Sequence, residues 1–270
     1  MAEESILARL SEASERRARA ARARTPESAL LRRIAERGPA PELRPSAFEI
    51  VAEIKWRAPS AGTLAQAGDA GERARLYVAG GAAAVSVVTE PEHFGGSLAD
   101  LARAAEAVRR PVLRKDFLVD PYQVLEARAA GAAGVLAIVR ITDDVRLQEI
   151  TDAANACDLF VLFEVFEGEE LPRALRALER CARPLLGVNA RNLRSLEVDR
   201  HRLAAMVSGL PTSVPWVAES GIVGPQDAAR AAALGYRLAL VGSALMRAAD
   251  PLGAVAALVA AGRGASWASA

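Results

Sequence analysis

Residues 160–189, FVLFEVFEGEELPRALRALERCARPLLGVN, contain the sequence pattern from which the fold is predicted. An apolar run begins at Phe160, an amphipathic segment covers Glu169–Glu179, and a second apolar run surrounds Leu185. Short apolar runs are typical of buried strands, whereas apolar residues spaced three and four apart are typical of one face of a helix. This stretch therefore predicts a strand, a helix and a second strand.

The same unit recurs along most of the chain. Apolar runs rich in β-branched residues lie near Ile50, Ala84, Val112, Val135, Phe160, Leu185, Val214 and Ala239. Amphipathic segments lie between or after them, at Leu98–Val108, Pro121–Ala130, Glu169–Glu179, Pro225–Leu234 and Pro251–Ala261. Because parallel strands are buried on both faces, this alternation predicts an α/β fold, a single (β/α)8 TIM barrel.

The main alternative from this periodicity is a doubly wound open sheet. No GxGxxG motif follows the first strand, so the sequence does not support a dinucleotide site there. The chain has 270 residues, which suits one barrel of about 250 residues with an extension. We therefore favour the barrel.

Residues 1–47 predict an N-terminal helical extension that packs on the barrel of residues 48–265. The extension contains one or two segments rich in Arg, Glu and Ala, followed by a Pro-rich stretch from Gly38 to Pro45. Two arrangements of its charged helix stay open. The helix either folds over the pocket as a lid or extends as a solvated arm.

The charge balance argues against nucleic-acid and membrane partners. The chain has 34 Lys and Arg residues against 33 Asp and Glu residues, so no strong field of one sign attracts a polyanion. The N-terminus is charged from Ala2 through Arg24, and no apolar run approaches the roughly 20 residues that a membrane span requires. We therefore expect a cytoplasmic protein that acts on a small molecule.

The cysteines and histidines do not suggest a metal site or a thiol nucleophile. Cys157 and Cys181 form no CxxC pair and lie in helical-looking segments, so we interpret both as buried thiols. His93 and His201 lie away from the predicted strand ends and are expected on the surface or in loops. No metal is predicted.

Charged and polar residues stand where the apolar runs end. They are Glu53 and Lys55 at the first run, Lys115 and Asp116 at the third, Glu164 at the fifth, Asn189 and Arg191 at the sixth, and Glu219 and Ser220 at the seventh. A buried parallel strand should not carry ions through its middle, and the carboxyl ends of all barrel strands meet at one rim. The pattern predicts one site in which coupled titrations provide acids and bases near neutral pH. The alternative is a set of ion pairs that plugs the barrel mouth.

Glycine and serine follow the last two strands, as Ser220-Gly221-Ile222 and Gly242-Ser243. Glycine lets the backbone approach an anion, serine supplies a hydroxyl donor, and helix N-termini favour negative charge. TIM barrels frequently bind phosphate in the loops after strands seven and eight. Gly221, Gly242 and Ser243 therefore predict a phosphorylated substrate.

From Ile50 to Arg247 the chain resembles the indole-3-glycerol-phosphate synthase family. The resemblance rests on the order and spacing of several motifs, of which the one around Lys115 is highly specific. They are Ala52-Glu53-Ile54-Lys55 with Pro59-Ser60, Ser86-Val87-Val88-Thr89-Glu90 with Phe94-Gly95-Gly96-Ser97-Leu98, Leu113-Arg114-Lys115-Asp116-Phe117 with Asp120-Pro121-Tyr122-Gln123, Glu164-Val165, Gly187-Val188-Asn189 with Arg191-Asn192-Leu193, Ala218-Glu219-Ser220-Gly221-Ile222, and Val241-Gly242-Ser243 with Leu245-Met246-Arg247.

This resemblance implies conversion of 1-(2-carboxyphenylamino)-1-deoxyribulose 5-phosphate into indole-3-glycerol phosphate, carbon dioxide and water, without a cofactor. It implies that Lys115 is the acid at the ribulose carbonyl and that Lys55 engages the substrate carboxylate. Glu164 is implied as the proton acceptor or hydroxyl partner in dehydration, with Glu53 assisting proton transfer. Asn189 is implied as a hydrogen-bond partner of the intermediate.

The resemblance also implies a set of binding residues around this centre. Arg191 and Glu219 support the polar network, and Ser220 contacts the substrate. The aromatic ring is enclosed by Pro59, Phe94, Phe117 and Leu136. The resemblance further implies a monomer.

Four residues depart from the pattern of that family. Ala58 stands where serine is common, Ala61 where lysine is usual, and Phe166 where histidine is frequent, while Trp56 adds bulk. These departures leave open a related enzyme of a specialised indole pathway that acts on a substituted anthranilate derivative.

Two further alternatives are weaker. Phosphoribosylanthranilate isomerase works through a cysteine and an aspartate, and neither cysteine here lies at a strand end. A noncatalytic ligand-binding barrel would be expected to lose its charged groups, whereas Lys55, Lys115 and Glu164 are present.

Overall fold

Eight parallel strands close into a barrel in this computed structural model, which describes residues 4–59, 61–191, 197–199 and 201–267. The strands are β1 (Glu49–Ile54), β2 (Ala84–Val88), β3 (Val112–Lys115), β4 (Gly134–Ile138), β5 (Phe160–Val165), β6 (Pro184–Asn189), β7 (Trp216–Glu219) and β8 (Leu238–Val241). Each strand pairs with its neighbours in chain order, and β8 pairs with β1. The predicted TIM barrel is confirmed, and the open doubly wound sheet is wrong.

Helices precede the first strand and alternate with the strands that follow. They are α1 (Glu4–Arg24), α2 (Glu27–Ala35), α3 (Ala70–Ala79), α4 (Leu98–Ala107), α5 (Tyr122–Ala129), α6 (Asp144–Ala156), α7 (Leu171–Arg180), α8 (His201–Met206), α9 (Pro225–Ala233), α10 (Ser243–Arg247) and α11 (Pro251–Trp267). A short antiparallel hairpin, Arg57–Ala58 with Gly62–Thr63, lies between β1 and α3. Strand β7 begins at Trp216 rather than near Val214, because Pro215 has no N–H to donate to a sheet.

The barrel interior changes from apolar to charged along the strands. Side chains alternate between the two faces of a strand, and alternate strands of a TIM barrel supply each interior layer. The register of β1, β3, β5 and β7 puts a buried apolar layer inside the barrel, formed by Val51, Leu113, Leu162 and Val217. Two residues further along the same strands stand Glu53, Lys115, Glu164 and Glu219. This charged layer lies at the carboxyl ends of the strands.

One strand carries a buried charge in its middle, which the sequence reasoning did not expect. Arg114 lies in β3 and is only 4% exposed. It faces outward, where its guanidinium lies 3.2 Å from Asp116 and 3.3 Å from Glu126 and donates to the carbonyl of Gln123 at 2.7 Å. The rule against ions in the middle of a strand is wrong here, because the flanking chain supplies oppositely charged partners.

Helix α1 is attached to the segment that follows β3. The hydroxyl of Ser14 donates to the carbonyl of Phe117 at 2.5 Å and accepts from the amide of Gln123 at 2.9 Å. Arg22 forms an ion pair of 2.8 Å with Asp120. These contacts fix α1 across the carboxyl end of the barrel, whereas the domain bounds of 1–47 and 48–265 stay a prediction.

Both cysteines are buried, as expected. Cys157 and Cys181 each follow the last residue of a helix, α6 and α7 respectively. Burial raises the pKa of both thiols, which disfavours the reactive thiolate. In the described part of the chain, no helix is both long and apolar enough to cross a membrane.

Candidate active site

A cavity of about 800 Å³ opens at the carboxyl ends of the strands. Every residue for which the sequence predicted a role in the site lines this cavity. They are Glu53, Lys55, Pro59, Phe94, Lys115, Phe117, Leu136, Glu164, Asn189, Arg191, Glu219, Ser220, Gly221, Gly242 and Ser243. The structure thus brings together residues from all parts of the barrel, while the role of each one stays a prediction.

Lys115 stands at the centre of the charged layer. Its Nζ lies 3.0 Å from Oε2 of Glu219 and 3.5 Å from Oε2 of Glu164. The amide of Asn189 donates to the other oxygen of Glu164. At the mouth, Nζ of Lys55 lies 2.5 Å from Oε1 of Glu53. Two lysines and three glutamates therefore form two contact groups in one cavity.

The crowding of these charges controls their protonation. Burial alone would lower the pKa of Lys115, but the negative charges of Glu164, Glu219 and Glu53 raise it well above its usual range. Burial and the charge of Glu164 raise the pKa of Glu219 to about 8, although the positive charge of Lys115 opposes this shift. The ammonium group is thus held charged, and Glu219 binds a proton more tightly than a free carboxyl group does.

Two glycines make room for the carboxylates. A Cβ atom on Gly187 would lie 2.1 Å from an oxygen of Glu219, and a Cβ atom on Gly242 would lie 2.1 Å from an oxygen of Glu53. Gly187 belongs to one of the family motifs, but the sequence predicted no role for it in the site. Gly187 pairs with Val217 on the adjacent strand, two residues before Glu219. Because the need for space beside Glu219 arises from this strand pairing, the sequence alone does not reveal it.

The turn after β7 has an unusual backbone. Ser220 and Gly221 both adopt positive φ angles, of 64° and 79°. Glycine reaches this left-handed region freely, whereas a serine there is strained by about 1–3 kcal/mol. Such strain is often found where a loop must present its groups to a ligand. Ser220 and Gly221 line the cavity, as do Gly242, Ser243 and Arg247.

An apolar wall faces the charged cluster. The rings of Phe94 and Phe117 lie 6.3 Å apart between centroids, tilted by 41°, and Leu136 lines the same cavity. Aromatic pairs at this distance and tilt attract each other. The site therefore combines a slot for a flat apolar group with charged groups beside it.

The four departures from the family pattern fall around this wall and the adjacent loop. Ala58 and Phe166 are buried and line the cavity, whereas Ala61 is exposed. Trp56 is buried, and its indole N–H lies 3.5 Å from a carboxylate oxygen of Asp100 on α4. Ser60, Asn192 and Leu193, which belong to the quoted motifs, lie outside the described residues.

The sequence left open whether α1 covers the site or extends as a solvated arm. Helix α1 lines the cavity with Leu7, Arg9, Leu10, Glu12, Ala13 and Arg16. The apolar members stand three residues apart, a spacing that indicates one buried helix face. That spacing could have favoured the lid over the solvated arm, and the structure places α1 over the site.

One group of described residues has ligand atoms close enough to hold a metal ion, namely Glu90, Glu92 and His93. The carboxylate of Glu90 already accepts the backbone N–H groups of Glu92, His93 and Phe94, at 3.0, 2.7 and 3.0 Å. Its oxygens shape a turn rather than face an open site. As expected, His93 and His201 are exposed, but His93 also lines the edge of the cavity.

Comparisons with known proteins agree with this geometry. Residues 5–258 match the family model described as indole-3-glycerol phosphate synthase. Indole-3-glycerol phosphate synthases of a Parafrankia species and a Nocardioides species are each 48% identical; they cover 90% and 81% of this chain and match over 91% and 83% of their own lengths. The solved 3-hexulose-6-phosphate synthase from Salmonella typhimurium has a TM-score of 0.64 at 17% identity, covering 81% of this chain and 100% of its own. Thiamine phosphate pyrophosphorylase from Pyrococcus furiosus has a TM-score of 0.59 at 20% identity, covering 83% and 99%. These two structures support the fold alone.

Proposed function

The chain belongs to the indole-3-glycerol phosphate synthase family, whose members are carboxy-lyases of tryptophan biosynthesis, and on this premise we propose how its site closes the indole ring. The substrate is 1-(2-carboxyphenylamino)-1-deoxyribulose 5-phosphate. One carbon–carbon bond forms between the ring carbon that bears the carboxylate and the ribulose carbonyl carbon. The carboxylate then leaves as carbon dioxide, and the former carbonyl oxygen leaves as water.

Lys115 is the acid for bond formation, and its setting is the observation that carries the proposal. The ring carbon supplies an electron pair to the carbonyl carbon, and the carbonyl oxygen takes a proton from the ammonium group of Lys115. An acid for this step must be charged before the substrate binds. The carboxylates around Lys115, at 3.0 Å and 3.5 Å, support that state.

Glu164 is the proton acceptor in the dehydration. Loss of carbon dioxide leaves its bonding electron pair in the ring system and restores aromaticity. Lys115 takes a second proton from solvent and gives it to the new hydroxyl group, which leaves as water, so the reaction as a whole consumes one proton. Glu164 takes the proton lost from the adjacent substrate carbon and lies 3.5 Å from Lys115, close enough to exchange protons with it. The hydrogen bond from Asn189 orients Glu164.

Lys55 binds the substrate carboxylate at the mouth, and Arg191 supports the polar network beside it. Lys55 is 15% exposed and is paired with Glu53. Glu53 keeps the ammonium group of Lys55 in place and assists proton transfer. The backbone N–H of Arg191 donates to Asn189 at 2.9 Å, which links it to the polar network. A carboxylate held by Lys55 places its ring carbon near the carbonyl, and such orientation accelerates bond formation.

The phosphate group binds near Ser220, Gly221, Gly242 and Ser243, which all line the cavity. Small residues let a phosphate approach the backbone, and the two serines add hydroxyl donors. Arg247 lines this part of the cavity and supplies a positive charge. The anthranilate ring then lies in the slot of Pro59, Phe94, Phe117 and Leu136.

A second candidate is the same chemistry on a substituted anthranilate derivative. Ala58 and Phe166 both line the cavity, so the ring environment differs from the common family pattern where a serine and a histidine are frequent. A missing serine hydroxyl would weaken carboxylate binding by about 0.5–1.5 kcal/mol. A higher kcat/KM on a substituted substrate than on the parent would favour this alternative.

We also propose that the enzyme is a cytoplasmic monomer. The support is its place in tryptophan biosynthesis and the family resemblance. Light scattering of the purified chain would test the monomer, and a mass of twice 28.4 kDa would contradict it. Cell fractionation followed by immunoblotting would test the location.

The reaction itself is tested by product stoichiometry. Purified protein is incubated with the ribulose phosphate substrate, and indole fluorescence and released carbon dioxide are measured together. We expect one carbon dioxide for each indole-3-glycerol phosphate. Binding of the substrate without release of either product would contradict the proposal.

A further inference from the structure

The side chain of Arg17, on α1, lies between two buried carboxylates. Its guanidinium is 3.1 Å from Oδ1 of Asp116 and 3.9 Å from Oε1 of Glu90. These carboxylates are 1% and 0% exposed, whereas the Arg17 side chain is 26% exposed. Asp116 follows β3 and Glu90 follows β2, so Arg17 connects the ends of two neighbouring strands.

Each carboxylate supports a segment that carries one of the two phenylalanines. Glu90 accepts the backbone N–H of Phe94 at 3.0 Å, together with those of the two residues before it. Asp116 accepts the backbone N–H of Phe117 at 2.9 Å. The rings of Phe94 and Phe117 contact each other and line the cavity.

The two carboxylates differ in their other cationic partners. Asp116 is also paired with Arg114 at 3.2 Å, and it accepts the hydroxyl of Thr89 at 2.7 Å. Among the ion pairs of the described residues, Glu90 has besides Arg17 only His93, which is charged only when protonated. Loss of the Arg17 charge therefore leaves Glu90 buried without a permanent cation, which favours rearrangement of its turn.

We propose that Arg17 is a positioning residue that fixes the side chains of Phe94 and Phe117 relative to each other, so that both can contact the aromatic ring of the substrate. This inference rests on the proposed function, in which these rings enclose the anthranilate group. It also gives α1 a specific task beyond covering the site. Lys115 is held by its own contacts with Glu164 and Glu219, so the acid should stay in place when Arg17 is replaced.

The test compares Arg17→Met, Arg17→Lys and the control Arg19→Met in the full chain. Arg19 lies on the same helix and is exposed, and its ion-pair partner among the described residues is the exposed Glu15 at 3.4 Å. We expect Arg17→Met to raise KM about tenfold, as for loss of one charge-assisted hydrogen bond, while kcat changes less than about threefold. Arg17→Lys should recover part of the loss, because an ammonium group can reach one of the two carboxylates.

Hydrogen exchange provides a second measurement that does not depend on turnover. The amides of His93, Phe94 and Phe117 should exchange faster in Arg17→Met than in the wild type, and Arg19→Met should leave them unchanged. Equal KM and equal exchange in Arg17→Met and Arg19→Met would overturn the inference, as would a kcat loss as large as the rise in KM without recovery by lysine. If the wild type does not turn over, the proposed function fails, and the exchange rates alone decide whether Arg17 holds these segments.

Discussion

Replacing Glu219 with glutamine is expected to stabilise the protein, and more strongly as the pH rises from about 5 to about 7. Burial, with the charge of Glu164, raises the pKa of Glu219 from 4.5 to about 8 in the folded state. A carboxyl with a raised pKa binds its proton more tightly when folded than when unfolded. Its stabilising contribution is complete below the unfolded pKa and is lost as the pH rises toward the folded pKa.

The size of the stability difference follows from the pH range between the unfolded and the folded pKa of Glu219. Each pKa unit corresponds to about 1.4 kcal/mol, so two pH units inside the window correspond to about 3 kcal/mol for an isolated group. Because Lys115 lies only 3.0 Å away and titration of the cluster is coupled, we expect about 1–3 kcal/mol. Glutamine keeps an oxygen that accepts from Lys115 but never ionises, so Glu219→Gln does not lose this contribution.

The assay is urea unfolding of the wild type, Glu219→Gln and the control Glu15→Gln at both pH values. Glu15 is exposed on α1, and its pairing with Arg19 at 3.4 Å is worth little. The stability difference between the wild type and Glu219→Gln should widen with pH, and the control should follow the wild type. If the difference in free energy of unfolding does not change with pH, or if Glu219→Gln becomes less stable than the wild type as the pH rises, the pKa of Glu219 is not raised by folding.

Two further substitutions test the packing of the site. In Gly242→Ala a methyl group would approach Glu53 to 2.1 Å, so we expect kcat/KM to fall about 10- to 100-fold through displaced charges, while Gly168→Ala, with no atom within 4 Å, keeps the wild-type value. Arg114→Met removes one of the two arginines paired with Asp116 and the arginine paired with Glu126, so it should cost about 3–5 kcal/mol in urea unfolding. A loss below about 1 kcal/mol would show that these ion pairs contribute little.

The barrel and its site could be predicted because two sequence signals agree. Strand periodicity fixes where each apolar run ends, and the closed order of parallel strands brings all those ends to one rim. Glu53, Lys115, Glu164 and Glu219 therefore meet, although they are far apart in sequence. The spacing of the apolar runs was sufficient to predict the site, because strands of a closed barrel pair in chain order and no other strand order had to be assumed.

The remaining features depend on contacts that a linear pattern does not contain. Gly187 acquires its role from the carboxylate of Glu219 on the adjacent strand, and Arg114 is tolerated because Glu126 on α5 faces it. In the sequence, Arg17 is one of several arginines in the charged N-terminal segment. Only the position of α1 across the barrel mouth shows that it reaches Asp116.

Whether Lys115 is the acid of ring closure can be measured by single-turnover formation of indole-3-glycerol phosphate in the wild type and in Lys115→Ala. Removal of a general acid typically costs about 10²–10⁴-fold, so we predict a rate at least about 100-fold lower in the variant, with product affinity changed much less. A variant that keeps more than about a tenth of the wild-type rate would contradict the claim and move the acid to another group of the charged layer.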